Sequence, residues 1–295
     1  MAYIGHKTLE SLTTNTITID DLKHARSLSL VLGIRIGSGT FSDVFIAKYK
    51  SRRVAVKFND KRLVREKYND QELVVINILL RAPGHRNVIR FLDLFENYSR
   101  SQEWILMELF DGRELYDKIM ENNGPFAERV AKQYMKQMVD GLAYLHGLTI
   151  VHRDIKPSNV MIKETNGQQL ALKYIDFGFS RVVDISNNGK AICSSHVGTD
   201  PYMAPEVFDK EEDYNAFKSD IYSVGVILYV MIYWINPFYG QTRDDIIRLK
   251  QKPVEFPDDM QVSDSVRQLL ANILCLDPIN RFHINQILDS DWMKQ

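Results

Sequence analysis

The chain has 295 residues, of which 45% are hydrophobic and 25% charged, and this composition excludes a disordered or fibrous protein. Its 37 basic and 38 acidic residues give a formal net charge of −1, so no partnership with nucleic acid is expected. Two cysteines, Cys193 and Cys275, exclude a disulfide scaffold and favour a reducing intracellular location, cytoplasmic or nuclear.

The first third of the chain is predicted to be mainly sheet with one helix. Residues 1–28, which are rich in Thr and Ser, are interpreted as an N-terminal extension. Alternating apolar and polar residues with glycines between them predict strands within 28–58, and two more strands are predicted at 88–96 and 104–109. Apolar residues at three- and four-residue steps predict a helix over 61–80.

The rest of the chain is predicted to be mostly helical. An apolar stripe predicts a long amphipathic helix over 127–146, and Asn166-Gly167 predicts a two-residue hairpin turn. From Pro205 onward the pattern is helical. The uncharged apolar run 221–235, which Asp220 opens, has 15 residues, whereas a membrane span needs about 20. We therefore predict a buried helix there and no membrane span.

A glycine-bearing segment lies between two predicted strands. It reads Gly37-Ser38-Gly39-Thr40-Phe41-Ser42 and is followed by Val44. Glycines let backbone N–H groups approach phosphate oxygens without a clash at Cβ. Taken alone, the segment is a weak signal, and an ordinary glycine-bearing hairpin is the favoured interpretation. A Walker loop is excluded because no Gly-Lys-Ser/Thr follows, and a Rossmann turn is excluded because a strand follows instead of a helix.

Lys57 ends the next apolar segment, Val54-Ala55-Val56-Lys57. In a strand, Ala55 and Lys57 point to the same face, where a small residue leaves room for a flat ring and a lysine can reach phosphate. An inward-facing lysine needs a charged partner, and Glu72 on the following helix is the candidate, with Glu66 as the rival. The alternative is an exposed lysine at the end of a strand.

Two polar segments follow apolar strands and carry groups suited to phosphoryl transfer. In His152–Asn159, Asp154 could take a proton from a hydroxyl, Lys156 could neutralise a phosphoryl group and Asn159 could ligate a metal ion. The Asp176 carboxylate suits Mg²⁺ bound to nucleotide phosphates. The alternatives are a solvated loop and an ordinary turn.

In this order the motifs resemble the signature of protein kinases. The matching segments are Gly37–Val44, Val54–Lys57, Glu72, His152–Asn159, Asp176–Gly178 and Ala204-Pro205-Glu206. The resemblance covers residues 29–295 and implies an α+β, bilobal fold with ATP between the lobes. The N-lobe (29–109) would be a small antiparallel sheet with one main helix, and the C-lobe (110–295) would be larger and helical. Arg281 would pair with Glu206.

The resemblance also implies roles for individual residues. The residues around ATP would be Ile36, Gly37, Ser38, Gly39, Val44, Ala55, Lys57, Glu72, Met107 (as gatekeeper), Glu108, Phe110 and Glu114. Asn159 and Asp176 would hold Mg²⁺. The catalytic residues would be Asp154, which deprotonates the substrate hydroxyl, and Lys156, with Asn159 and Thr199 beside them.

Two segments indicate the class of substrate. Lys156-Pro157 and Gly198-Thr199 resemble serine/threonine kinases, so the expected partners are proteins with phosphorylatable Ser or Thr. Three further segments look most like the calcium/calmodulin-dependent kinase group; these are Gly112–Asp117, Tyr222–Tyr229 and Asp277–Phe282. A monomer is expected.

Regulation by phosphorylation is a further expectation. Arg153 and Arg181 could grip a phosphate on the intervening loop and order it. Ser195 is the first candidate acceptor and Ser194 the second, and an upstream activating kinase would then be a partner. The alternative is that the loop orders unaided.

Three positions depart from the family pattern: Ser42, Arg113 and Asp200-Pro201. None of them removes a catalytic group. One rival interpretation is a pseudokinase scaffold that binds ATP without efficient transfer, against which Lys57, Asp154, Asn159 and Asp176 all argue. Another rival is a small-molecule phosphotransferase of related fold, against which Ala204-Pro205-Glu206 argues.

Overall fold

The computed structural model describes residues 15–19, 28–38, 42–60, 71–97, 102–165, 169–185, 191–208 and 213–295. The chain divides into two compact units, one of residues 1–84 and 89–111 and the other of residues 85–88 and 112–295. The predicted lobe boundary at 109/110 falls two residues before this division.

The first unit consists mainly of an antiparallel sheet. Among its described residues, six strands pair in the order β1-β2-β3-β4-β6-β5. They are β1 (Asn15–Ile19), β2 (Leu28–Ser38), β3 (Ser42–Tyr49), β4 (Arg52–Asp60), β5 (Phe91–Asn97) and β6 (Gln102–Glu108). The predicted strands are confirmed, and β1 shows that part of the predicted extension joins the sheet as an edge strand.

Helix α1 (Gln71–Arg81) accompanies this sheet and confirms the predicted helix over its second half. The predicted first half, 61–70, lies outside the described residues. The helix buries one apolar stripe, made of Leu73, Val75, Ile76 and Leu79. This stripe leaves Glu72 on another face of the first turn.

One face of the sheet carries an apolar cluster in which alternate residues of β2, β3, β4 and β6 take part. Val54 and Val56 on β4 pack there, together with Trp104 and Leu106 on β6. Because side chains alternate along a strand, Ala55 and Lys57 point to the opposite face. Burial of the alternate valines therefore fixes the direction of Lys57.

The second unit contains helices and short strands. Its helices are α2 (Leu115–Asn122), α3 (Glu128–Gly147), α4 (Ala216–Tyr233), α5 (Arg243–Lys250), α6 (Asp264–Ile273), α7 (Ile284–Leu288) and α8 (Asp291–Lys294). Its strands are β7 (Arg113–Glu114), β8 (Ile150–Val151), β9 (Val160–Thr165), β10 (Gln169–Tyr174), β11 (Arg181–Val182), β12 (Ile192–Cys193) and β13 (Tyr214–Asn215). The mostly helical character predicted for this part of the chain is confirmed.

The short strands form a β10-β9-β7 sheet and the pairs β11–β8 and β12–β13 within the described part of the second unit. In the β9–β10 hairpin, Thr165 pairs with Gln169, so three residues separate the strands. The prediction of a two-residue turn was therefore wrong by one residue. The turn itself, 166–168, lies outside the described residues.

Helix α4 is the central buried helix of the second unit. It begins at Ala216, capped by the Asn215 side chain, which accepts hydrogen bonds from the backbone N–H groups of Phe217 and Lys218. The prediction that Asp220 opens it was wrong, because this cap starts the helix four residues earlier. Among the described helices, α4 alone is long and apolar enough to cross a membrane, but 89% of it is buried within the protein. The predicted buried helix is confirmed.

Candidate active site

Lys57 and Glu72 form an ion pair within the first unit. Lys57 Nζ on β4 donates to Glu72 Oε1 on α1 at 2.7 Å. The side chains are 13% and 18% exposed, so water screens this pair less than a surface pair. The predicted partnership is confirmed, while the rival Glu66 lies outside the described residues.

Strand pairing brings several predicted ATP-binding residues side by side. Gly37 on β2 lies opposite Val44 on β3, and Val44 lies opposite Lys57 on β4. Ala55 pairs with Met107 on β6. The ladder therefore places these five residues on adjoining strands. The remaining residues predicted in this region are Ile36 and Ser38, which lie on β2 beside Gly37, and Gly39, which lies outside the described residues.

The end of β6 is fixed by two hydrogen bonds between Glu108 and Arg90. The Glu108 N–H donates to the Arg90 carbonyl at 2.9 Å, and Glu108 Oε1 accepts from the Arg90 N–H at 2.8 Å. Phe110 follows two residues beyond the strand. That the backbones of Glu108 and Phe110 meet an adenine ring stays a prediction.

Asp154 is the centre of a hydrogen-bonded cluster in the second unit. It lies in the loop between β8 and a short 3-10 turn, Pro157–Asn159, and is 5% exposed. Asn159 Nδ2 donates to the Asp154 carboxylate and to its backbone carbonyl, both at 2.8 Å. Lys156 Nζ lies 2.9 Å from the same carboxylate. The carboxylate is thus held by a cation and an amide, in a position to accept a proton.

Thr199 joins this cluster from a loop 45 residues later in the chain. Its Oγ1 donates to Asp154 Oδ1 at 2.7 Å and accepts from Lys156 Nζ at 2.8 Å. The predicted proximity of Thr199 to Asp154 and Lys156 is confirmed. A hydroxyl can therefore lie within hydrogen-bonding distance of both groups.

Asp220 on α4 holds the start of this loop, a role that the sequence analysis missed. Its carboxylate accepts hydrogen bonds from the backbone N–H groups of His152 (2.9 Å) and Arg153 (2.8 Å) and lies 3.0 Å from His146 Nε2. A buried carboxylate requires such partners, and Asp220 is 1% exposed. The signal that could have revealed it is a single acidic residue within an apolar helix.

Asp176 and Asn159 carry oxygen atoms that could bind a metal ion, and both lie in the same part of the second unit. The N–H of Ile175 donates to the Asn159 carbonyl at 3.0 Å. This bond joins the segment that carries Asp176 to the catalytic loop, His152–Asn159. Asp176 has a φ of +56° and accepts a bond from the Gly178 N–H at 3.2 Å. Left-handed backbone is uncommon for residues other than glycine and is often found at functional sites. A carboxylate and an amide oxygen are ligands that suit Mg²⁺.

Ser195 contacts the arginine predicted to bind a phosphate. Arg153 Nη1 donates to Ser195 Oγ at 2.5 Å and to its carbonyl at 3.2 Å, and the Tyr214 hydroxyl donates to the same carbonyl at 3.1 Å. Ser194 is exposed. Of the two candidate acceptors, Ser195 is thus the one hydrogen-bonded to Arg153.

Arg181, the second arginine predicted to bind phosphate, lies on β11 near buried Cys193. Burial raises the pKa of the Cys193 thiol, while the charges of Arg153 and Arg181 both lower it. Both guanidinium groups therefore act on one small region of the second unit.

Glu114 and Arg113 lie on β7. Glu114, predicted to approach a ribose, is 8% exposed, and burial raises the pKa of its carboxyl group. Arg113, one of the departures from the family pattern, forms ion pairs with Glu121 at 2.6 Å and Glu164 at 3.4 Å. Local partners thus account for the arginine at this position.

The predicted ion pair between Glu206 and Arg281 is present. Arg281 Nη1 and Nη2 donate to the two carboxylate oxygens of Glu206 at 2.6 and 2.9 Å. This bidentate geometry is the strong form of an arginine–carboxylate pair. It joins the segment after Thr199 to the chain beyond α6.

Comparison with known proteins identifies the family. A family model for the protein kinase domain matches residues 31–293. The chain belongs to the protein kinase family. The bilobal α+β fold inferred from the motifs is therefore confirmed, and the kinase domain occupies nearly the whole chain.

Curated relatives of this chain are named as protein kinases, one of them as a serine/threonine kinase. It is 33% identical to the probable serine/threonine-protein kinase fhkC of Dictyostelium discoideum, over 87% of this chain and 43% of the relative. It is 32% identical to myosin light chain kinase A of the same organism, over 88% and 86%. It is 30% identical to calcium-dependent protein kinase 4 of Plasmodium berghei, over 89% and 49%. These relatives agree with the calcium/calmodulin-dependent group, although the chain spans less than half the length of the first and third.

Proposed function

We propose that this kinase transfers the γ-phosphoryl group of ATP to serine and threonine hydroxyl groups of protein substrates. The observation that carries the proposal is the Asp154 cluster, in which the carboxylate contacts Lys156, Asn159 and Thr199 within 2.7 to 2.9 Å. A carboxylate beside an ammonium group supplies both a base for a hydroxyl nucleophile and a charge partner for phosphoryl oxygens.

In the proposed reaction, Asp154 orients the substrate hydroxyl and accepts its proton as the oxygen bonds to the γ-phosphorus. The bond from that phosphorus to the bridging oxygen breaks, and ADP leaves. Lys156 would lie against the γ-phosphoryl oxygens and offset their growing charge. Asn159 keeps the base in place, because its amide donates to both the carboxylate and the carbonyl of Asp154.

Protein kinases in general use ATP with Mg²⁺, and the residues present fit both. The carboxylate of Asp176 and the amide oxygen of Asn159 would hold the metal ion, since the Asn159 nitrogen is already committed to Asp154. When bound, Mg²⁺ neutralises charge on the nucleotide phosphates. Lys57, paired with Glu72, would bind the α- and β-phosphates.

The test is transfer of labelled γ-phosphate from Mg·ATP to a degenerate Ser/Thr peptide array. We expect robust transfer by the wild type and a loss of about 10²–10⁴-fold in Asp154→Asn, because the base is removed. Asp258→Asn, which changes an exposed carboxylate, is the matched control and should match the wild type. Absence of transfer by protein that still binds Mg·ATP would instead indicate a pseudokinase scaffold, and transfer to small alcohols but not peptides would indicate a small-molecule phosphotransferase.

We also propose that phosphorylation of Ser195 by an upstream kinase orders the loop around it. The support is the contact of Ser195 Oγ with Arg153, which already places the acceptor oxygen 2.5 Å from a guanidinium nitrogen. A phosphate there would add charge-assisted hydrogen bonds to Arg153 and bring negative charge towards Arg181.

The test of this second proposal compares the wild type, Ser195→Ala and Ser194→Ala after treatment with an activating kinase. Mass spectrometry should find phosphate on the wild type and on Ser194→Ala, and both should be more active than Ser195→Ala. Equal activity of Ser195→Ala and fully phosphorylated wild type would show that the loop orders unaided.

A further inference from the structure

The loop that follows Thr199 is folded tightly against the catalytic cluster. The N–H groups of Tyr202 and Met203 both donate to the Thr199 carbonyl, at 2.9 and 3.2 Å. Gly198 has a φ of +138°, and a Cβ there would lie 2.8 Å from Met203 Cγ and 2.9 Å from the Arg153 carbonyl oxygen. Two backbone hydrogen bonds therefore join the segment 200–203 to Thr199 in a tight turn.

Three successive carbonyls of this segment accept hydrogen bonds from side chains of α4 and α5. Lys250 Nζ donates to the carbonyls of Pro201 (3.2 Å) and Met203 (2.7 Å), and Ser223 Oγ donates to that of Tyr202 (2.9 Å). These bonds turn the carbonyls of 201–203 towards the helices. The conformation of the segment is therefore fixed by side chains of α4 and α5 that the sequence analysis did not single out.

Lysine is unusual at a buried position, and Lys250 is only 1% exposed. Its Nζ lies 4.2 Å from the ring centre of Phe238, 5.0 Å from that of Tyr222 and 6.0 Å from that of Phe208. Burial lowers the pKa of its amine to about 7. Burying an amine is costly unless it is hydrogen-bonded, and its hydrogen-bond acceptors here are the two loop carbonyls.

The other end of α5 contacts the same segment. Arg243, the first residue of the helix, has its Nε 3.2 Å from Asp200 Oδ2 and its guanidinium carbon 5.5 Å from the Phe208 ring centre. A capping box between Thr242 and Asp245 fixes the start of the helix. Helix α5 thus holds the segment at Asp200 through its first residue and at Pro201 and Met203 through its last.

We propose that Lys250 is a positioning residue that fixes the segment 200–203 as the surface receiving the substrate residue next to the phosphoacceptor. The inference rests on the proposed function and deepens it. Because Thr199 bonds both Asp154 and Lys156, the segment that follows it lies beside the point of phosphoryl transfer. Removing Lys250 loosens this surface, so peptide binding weakens while the catalytic groups stay in place.

The kinetic test compares the wild type with Lys250→Met, Lys250→Gln and the control Lys252→Met. Methionine fills a similar apolar volume without a donor, and glutamine keeps an N–H donor without the charge. We expect Lys250→Met to raise KM for a peptide substrate about tenfold, the effect of leaving buried carbonyl groups without their hydrogen-bond donor, with kcat and KM for ATP within about threefold. Lys250→Gln should be intermediate, and the exposed Lys252→Met should match the wild type.

Hydrogen exchange of the protein without ATP or peptide supplies a measurement that does not need activity. The amides of Tyr202 and Met203 should exchange faster in Lys250→Met than in the wild type or Lys252→Met. Lys250→Gln serves the same comparison if Lys250→Met does not fold.

Three results would overturn the proposal: an unchanged peptide KM, a fall in kcat alone, or equal rises in KM for peptide and for ATP. Equal exchange of the two amides in variant and wild type would also overturn it. A wild-type protein that transfers no phosphate would instead overturn the proposed function, and hydrogen exchange alone would then decide whether Lys250 holds the segment.

Discussion

Two buried ionisable side chains, Asp220 and Lys250, hold backbone on either side of the transfer site in the second unit. Asp220 accepts two N–H groups of the catalytic loop, and Lys250 donates to two carbonyls of the segment after Thr199. Each is 1% exposed, so each depends on its backbone partners to offset the loss of water. Single side chains thus set the shape of loops that have little regular structure.

We expect the difference in free energy of unfolding between the wild type and Lys250→Met to depend on pH. Burial lowers the pKa of Lys250 from 10.5 to about 7; Glu206 and Asp200 oppose this shift and Arg281 adds to it. Between these two values the unfolded chain holds a proton that the folded chain lacks. Raising the pH from 7 towards 10.5 should therefore stabilise the wild type relative to the variant, by at most about 1.4 kcal/mol per pH unit.

Urea unfolding of both proteins from about pH 6 to about pH 9.5 would measure this difference. The difference should level off towards about pH 6, where both states of the wild type become protonated. Lys252→Met, at an exposed lysine, should show no such slope. A difference for Lys250→Met that did not change with pH would contradict the prediction.

Among the elements, α4 and α3 show opposite patterns that suit their positions. Helix α3 presents a stripe of buried residues, whereas nearly all of α4 is buried, with contacts to α3 and α6. Gly225 on α4 faces the end of α6. A methyl group there would overlap the side chain of Ile273 and lie 3.0 Å from Leu274 Cδ2.

We expect Gly225→Ala to destabilise the protein although alanine is the better helix former. The gain in helix propensity is about 1 kcal/mol, while overpacking a tight core contact costs about 1–3 kcal/mol. Gly147→Ala at the end of α3 is the matched control, because no atom lies within 4 Å of the added methyl group. Thermal unfolding should place Gly225→Ala below the wild type and Gly147→Ala at or above it. The reverse order would show that α4 and α6 separate at little cost.

Across the whole molecule, buried polar pairs join segments that are distant in the chain. Arg281 bonds both oxygens of Glu206, 75 residues away, and also the carbonyls of Cys275 and Lys218. The Glu128 carboxylate on α3 accepts from Ser263 and from Trp292 on α8. Arg281 thus joins the segment after Thr199 to the chain beyond α6, and Glu128 joins α3 to the start of α6 and to α8.

We expect Arg281→Leu to lower the free energy of unfolding by about 3–5 kcal/mol, because Glu206 and three backbone carbonyls lose their partner in a buried site. The double variant Glu206→Leu/Arg281→Leu should recover part of this loss, since no unpaired carboxylate remains. Lys294→Ala, which breaks an exposed ion pair with Asp289, should cost at most about 1 kcal/mol. Equal losses in Arg281→Leu and Lys294→Ala by urea unfolding would contradict the account.

The family, the two-part architecture and most of the candidate site could be predicted from the order and spacing of residues alone. Asp154, Lys156 and Asn159 lie in one short segment, so their chemistry could be interpreted without knowing the fold. Lys57 could be assigned to a face by strand alternation, and its partner Glu72 by the helix that follows. These inferences held because each depends on residues close in the chain or on a periodic pattern.

Only the tertiary structure decided which distant groups support that site. Asp220 lies 68 residues from His152, and Lys250 lies 47 residues from Met203. No local pattern distinguishes the buried Lys250 from the exposed Lys252, because burial depends on the loop and aromatic rings that pack over the helix end. The start of α4 is different, because it is set locally by the Asn215 cap, which sequence reasoning overlooked. Glu164, by contrast, reaches Arg113 only through folding, because 51 residues separate the two in the chain.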